Sequence, residues 1–140
     1  MMRMYLALAA VGVCVGASQT VWPHHSETAE YDSNKPVKVT GTIKKVEWMN
    51  PHVYFYIDVT DDKGSTANWG LEMGPPNGLQ RSGWTRNTMK IGDEVKVQGN
   101  LAKDGSNLAN ARFVTLGDGR RLFAGSTTDG GPVAPAAGKQ

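Results

Sequence analysis

Three histidines are the residues of this chain whose chemistry is easiest to name. His24 and His25 are adjacent, and His52 follows the dipeptide Asn50-Pro51. Neutral imidazole is the commonest metal ligand and suits copper, zinc or nickel. If the segment with His24 and His25 folds back towards His52, the three side chains would bind copper first and zinc second. The alternative is that the histidine pair is solvated and that His52 caps a turn.

A second candidate site is aromatic. Exposed rings on neighbouring strands of a small barrel form a stacking platform for bases or sugars. The predicted ligand-binding residues are Trp48, Tyr54, Tyr56, Trp69, Glu72 and Trp84. The alternative is that one set of rings fills the core and the other packs under the N-terminal arm. Strand alternation puts Glu72 on an outer or rim position, where a solvated carboxylate is expected.

Methionine offers a third kind of metal ligand. Met49, Met73 and Met89 carry thioethers soft enough for Cu(I). They are too scattered for a methionine-rich motif, so we expect them to fill gaps in the core.

Familiar catalytic arrangements are not recognisable in the sequence. Ser26 and Ser82 do not lie in a nucleophile elbow. Residues 74–78 lack the Lys-Ser/Thr end of a phosphate-binding loop. We therefore expect a binding protein and not an enzyme.

One long strand must position these candidates. From Val37 the apolar residues alternate with period two, and the alternation shifts by one residue at Lys45. Such a shift predicts a β-bulge, and Gly41 would ease the bend. The turn at Asn50-Pro51 then presents His52 at the start of the next strand.

The remaining pattern predicts an all-β domain. Further strands are expected at residues 52–60, 66–73, 94–101 and 109–116, with a helix or loop at 79–84 and a short closing piece at 120–123. Three strands, a crossing and two more strands predict a small five-stranded Greek-key barrel of the oligonucleotide/oligosaccharide-binding (OB) type. A plain antiparallel sandwich is the alternative.

The ends of the chain indicate export. Arg3, an apolar run and the small residues at 15–17 predict a signal peptide over residues 1–17, with a retained anchor as the alternative. Residues 18–36 form an N-terminal arm that ends at a turn cluster, and residues 37–123 form the OB-like barrel. Residues 124–140, rich in Gly, Pro and Ala, form a disordered tail. We expect a periplasmic protein without stable membrane insertion after cleavage.

Charge and cysteine content narrow the partners. The formal net charge is +2, and loss of Arg3 with the signal makes it +1. This balance argues against a nucleic-acid partner, whose phosphates basic residues must neutralise. The single cysteine, Cys14, leaves with the signal, so disulfides and thiolate sites are not expected. A metal ion, a small ligand or a periplasmic protein remains as partner.

Several motifs resemble one family. They are His24-His25-Ser26, Tyr31-Asp32, Gly41–His52 (GTIKKVEWMNPH), Trp69–Met73 (WGLEM), Ser82–Arg86 (SGWTR), Ile91–Gly99 (IGDEVKVQG), Lys103–Ser106 (KDGS) and Leu116–Arg120 (LGDGR). On these motifs the chain resembles the small exported bacterial proteins of the domain of unknown function 6152 family. The resemblance implies an exported barrel domain with no assigned activity, and it carries over no catalytic residue.

Overall fold

The computed structural model describes residues 27–126, which form an all-β fold with two short helices. In chain order the elements are α1 (Glu27–Glu30), β1 (Tyr31–Glu47), β2 (Tyr54–Thr60), β3 (Thr66–Glu72), α2 (Pro76–Arg81), β4 (Glu94–Ala102), β5 (Leu108–Thr115) and β6 (Arg121–Phe123). The predicted signal peptide, His24 and His25 lie outside the described residues. Within residues 27–126, no helix has the length and apolar character needed to span a membrane.

The sheet closes on itself. Its strand order is β3-β2-β1-β4-β5-β6, and β3 also pairs with β5 in parallel. This last pairing sets Glu72 of β3 opposite Asn110 of β5. Five strands therefore form a ring, and β6 extends the sheet beside β5. The ring, with α2 between β3 and β4, confirms the predicted all-β, OB-like fold class.

The long first strand bends between two partners. Its earlier part pairs with β4, its later part pairs with β2, and Thr42 pairs with both. The register against β2 shifts between Ile43 and Lys45, which confirms the predicted β-bulge. A Cβ atom on Gly41 would lie 2.5 Å from the carbonyl oxygen of Asp58. The close approach of β1 and β2 therefore requires glycine at position 41.

The first strand also begins earlier than the sequence predicted. Tyr31 already pairs with Ala102 of β4, and regular pairing resumes at Pro36. The turn expected at residues 32–36 is visible only as one local hydrogen bond. The backbone N–H of Asn34 donates to Oδ1 of Asp32 at 2.9 Å. This bond lies where the pairing of β1 with β4 is interrupted, between Tyr31 and Pro36, and it does not separate an N-terminal arm from the strand. Tyr31 is consequently part of the sheet.

Side chains from alternate positions along the strands fill the interior of the ring. The largest fully buried ones are Trp84, Phe55, Ile43, Ile57, Leu71, Met73, Leu79, Val53, Val95, Val97 and Val114. α2 and the turn after it contribute Leu79 and Trp84. The indole Nε1–H of Trp84 donates to the carbonyl oxygen of Phe123 at 2.7 Å. Trp84 is therefore a core residue, and its predicted place in a ligand-binding platform was wrong.

The chain packs beyond the point where the disordered tail was predicted to begin. Ala124, Gly125 and Ser126 are buried, and the N–H of Gly74 donates to the carbonyl oxygen of Ala124 at 2.8 Å. A Cβ atom on Gly74 would lie 2.6 Å from the carbonyl oxygen of Gly125. These three residues belong to the fold because glycine at position 74 leaves room for them. Residues 127–140 lie outside the described residues.

Candidate functional site

The site is built around the carboxylate of Glu72, at the end of β3. Glu72 pairs with Tyr54 of β2 and with Asn110 of β5, on the face of the strands that points away from the core. It is nevertheless 4% exposed, so the prediction of a solvated rim carboxylate was wrong. Alternation gave the correct face. It did not show that Tyr31 and His52 contact this face and bury the carboxylate.

Both oxygens of the Glu72 carboxylate have partners. The hydroxyl of Tyr31 donates to Oε2 at 2.5 Å, and Nδ1 of His52 is hydrogen-bonded to Oε1. These contacts join residues that are 41 and 20 positions apart in the chain. Within the described residues, no buried side-chain nitrogen or oxygen lacks a hydrogen-bond partner. A buried carboxylate is tolerated only when it is bonded in this way.

The two tyrosines beside Glu72 are held neutral. Burial raises the pKa of Tyr31 well above its ordinary value, and its hydrogen bond to Glu72 and the negative charges of Glu72 and Glu30 raise it further. Burial also raises the pKa of Tyr54, followed by the charge of Glu72 and a hydrogen bond to it. Each phenol therefore remains a donor near an acceptor-only carboxylate. Glu72, Tyr31, Tyr54 and His52 are called the Glu72 network below.

Alkaline titration tests this network. We expect the tyrosines of the folded protein to ionise at higher pH than those of the denatured chain, which ionise near pH 10. Because the raised pKa belongs to the folded state, the stability from Tyr31 and Tyr54 is fully present below pH 10 and is lost as the pH rises above it. Tyrosinate absorbance with and without denaturant measures the difference. Coincident titration curves would show that the network does not hold the phenols.

His52 is oriented by the same carboxylate. A carboxylate oxygen accepts, so Nδ1 is the ring nitrogen that donates to it, and in neutral imidazole this leaves the lone pair on Nε2. The His52 side chain is 24% exposed, which leaves one edge of the ring near solvent. Within the described residues, the bond to Glu72 is the only side-chain hydrogen bond of His52. Nε2 is thus the ring atom available to a ligand.

The predicted metal site is only partly covered by the structure. His52 lies in the loop between β1 and β2, whereas His24 and His25 lie outside the described residues. Within residues 27–126, no three His, Cys, Asp or Glu side chains form a group that could hold a metal ion. An ion at His52 would therefore need ligands of another type or from another part of the chain.

The predicted aromatic site divides into different environments. Trp48 and Trp69 are partly buried and pack against the core. Tyr54 belongs to the Glu72 network. Tyr56 donates its hydroxyl to Oε2 of Glu47 at 3.2 Å, and Nζ of Lys45 lies 5.5 Å from the centre of its ring. With Trp84 in the core, the six predicted residues do not lie together on one exposed surface.

Tyr31 is the site residue that the sequence did not predict. It lies in a polar stretch before the first strand, and its partner Glu72 is 41 residues away. A signal was present, since a single aromatic residue among Glu30, Asp32 and Ser33 needs a buried partner for its ring. The sequence could not identify that partner, because the contact depends on how β1 curves round the ring.

Comparison with known proteins gives a family match. The model described as "Family of unknown function (DUF6152)" matches residues 11–111. This range contains the whole Glu72 network. No curated protein matches the sequence.

Proposed function

Because the chain belongs to the DUF6152 family, a family of unknown function, we propose its function from the Glu72 network: it is a small metal-binding protein that uses Nε2 of His52. Copper is the first expected ion and zinc the second. The observation that carries the proposal is the hydrogen bond between Glu72 and Nδ1 of His52. Metal-binding histidines almost always donate their second ring N–H to such a partner, which fixes the tautomer and makes the free nitrogen more basic.

The burial of Glu72 strengthens this argument. A surface ion pair orients a histidine weakly, because solvent competes and both side chains move. Glu72 is 5% exposed in its side chain, is held by Tyr31, and presents one oxygen to His52. The imidazole is therefore fixed before any ligand arrives, which lowers the entropy cost of binding.

His24 and His25 are the proposed additional ligands. His25 lies six residues before Tyr31, and six residues of extended chain span about 20 Å. Tyr31 contacts the same carboxylate as His52. The bond of Tyr31 to Glu72 therefore limits how far the preceding histidines can be from His52, and the connecting chain is long enough for them to reach it.

The wider proposal is an exported, non-enzymatic protein that works in the periplasm. The signal-peptide pattern of residues 1–17 supports export. The Glu72 network supports binding, because it fixes the imidazole of His52 with Nε2 available to a ligand. The near-neutral charge supports a partner other than nucleic acid.

The aromatic alternative is a periplasmic module that binds a small ligand or a protein. It has less support, because Trp84 is buried and Tyr54 lies opposite Glu72 in the sheet. Trp48, Tyr56 and Trp69 would have to carry it. Ligand-induced fluorescence changes that are indifferent to chelators would favour it over metal binding.

Replacement of His52 tests the proposal directly. We expect His52→Ala to weaken Cu(II) or Zn(II) binding to the mature protein by roughly tenfold or more, because the oriented nitrogen is lost. Calorimetric titration measures the affinity. Glu47→Gln is the matched control, because Glu47 is bonded to Lys45 and Tyr56 and not to His52. Equal binding by His52→Ala and wild type would refute the proposal.

A further inference from the structure

Met49 differs from the other methionines of the barrel. Met73 is fully buried and Met89 is 5% exposed, so both fill the core as predicted. Met49 is 57% exposed and is one of two large hydrophobic residues exposed in the described part of the chain. The prediction that Met49 fills a gap was wrong. Its thioether is at the surface with no packing role to explain it.

Met49 lies in the same loop as His52. The loop joins Glu47, the last residue of β1, to Tyr54, the first residue of β2. His52 is three positions after Met49 in the chain, so their Cα atoms are at most about 11 Å apart. A methionine and a histidine side chain each extend several ångströms, and both are accessible to solvent. This spacing is short enough for the thioether sulfur and Nε2 of His52 to converge on one ion.

The two ligand types together favour one ion. Imidazole binds copper, zinc and nickel, whereas a thioether favours Cu(I). We propose that Met49 and His52 form a ligand pair for Cu(I), an inference that rests on the proposed metal-binding function and names its ion. The pair binds copper that is already reduced, so no electron transfer is involved. Both ligands are neutral, and the Glu72 carboxylate behind His52 offsets part of the ion's charge.

The test compares Cu(I) with Zn(II) in a small set of variants of the mature protein. Anaerobic competition with a chromogenic Cu(I) chelator measures Cu(I) affinity, and calorimetry measures Zn(II) affinity. We expect Met49→Leu to lower Cu(I) affinity by roughly tenfold or more while Zn(II) affinity is unchanged, since leucine keeps the volume and removes the soft donor. X-ray absorption of the Cu(I) complex should show a sulfur ligand in wild type and none in Met49→Leu.

A relocated thioether provides the control. Ile91 is 74% exposed and lies in the turn before β4. Adding Ile91→Met to Met49→Leu restores the number of exposed methionines but should not restore Cu(I) affinity. If Met49→Leu binds Cu(I) as wild type does while His52→Ala loses metal, the ligand pair is refuted and the proposed function stands. If His52→Ala retains all metal binding, the proposed function fails as well.

Discussion

Replacing Gly99 with alanine should destabilise the protein by about 3 kcal/mol, a large fraction of the roughly 5–15 kcal/mol by which a typical domain is stable. The added Cβ atom would lie 1.7 Å from the carbonyl oxygen of Asn110 and 2.8 Å from its carbonyl carbon. These are backbone atoms, so no side-chain rotation can relieve the overlap. β4 and β5 would have to separate. That movement would break the bond from the N–H of Asn100 to Oδ1 of Asn110, which is 2.8 Å long.

The position of Gly99 explains the size of this effect. The register between β4 and β5 shifts between Gln98 and Gly99. At a bulge the bulged strand bends towards its neighbour, and only glycine allows the backbones to approach so closely. Asn110 is also opposite Glu72 across the closing pair of strands. A substitution at position 99 that moves Asn110 should therefore also disturb the pairing of β3 with β5, which closes the ring.

Gly117→Ala is the matched control for Gly99→Ala. The nearest atom to a Cβ at position 117 is the carbonyl oxygen of Glu94 at 3.7 Å, an ordinary contact. We expect its free energy of unfolding to stay within about 1 kcal/mol of wild type. Chemical denaturation followed by tryptophan fluorescence measures both variants, with Trp84 as a buried reporter. Equal stability of Gly99→Ala and Gly117→Ala would contradict the assigned register.

The sequence predicted the features of this fold that local geometry determines. A strand has a side-chain period of two, so the one-residue shift at Lys45 placed the bulge between Ile43 and Lys45. The same alternation places Phe55 and Ile57 on one face of β2, and both are fully buried. Turn residues marked where each strand ends, and the number and order of the strands predicted the ring.

The sequence could not predict features that depend on contacts between distant residues. Whether an outward-facing carboxylate is solvated depends on what covers it, and Tyr31 reaches Glu72 only after β1 has curved round the ring. The composition of residues 124–126 is typical of a tail, yet Ala124 is fully buried because Gly74 accommodates the chain. The sequence could not identify the hydrogen-bond partner of His52, because Glu72 is 20 residues away.

Replacing Glu72 with glutamine should weaken metal binding by about 10–100-fold, the usual effect of removing the partner of a metal-binding histidine. The amide keeps the shape of the side chain but replaces one acceptor oxygen with a donor NH₂ group. If that NH₂ faces His52, Nδ1 must accept, and the proton moves to Nε2, where it blocks the metal. If it faces Tyr31, the phenol must rotate to accept, and a neutral amide oxygen replaces the charged acceptor of Nδ1 of His52, which weakens that bond. In either case the free energy of unfolding should fall by about 1–3 kcal/mol, because a buried donor loses its charged acceptor.

The two effects of Glu72→Gln can be separated. Tyr31→Phe removes one donor from Glu72 but leaves the bond between Glu72 and His52, so we expect it to lower stability more clearly than metal affinity. Glu47→Gln should change neither quantity, because Glu47 contacts Lys45 and Tyr56 at the surface. Calorimetric metal titration and chemical denaturation of the three variants measure both quantities. If Glu72→Gln loses stability but binds metal as wild type does, Glu72 holds the start of β1 against β3 and does not orient His52 for a ligand.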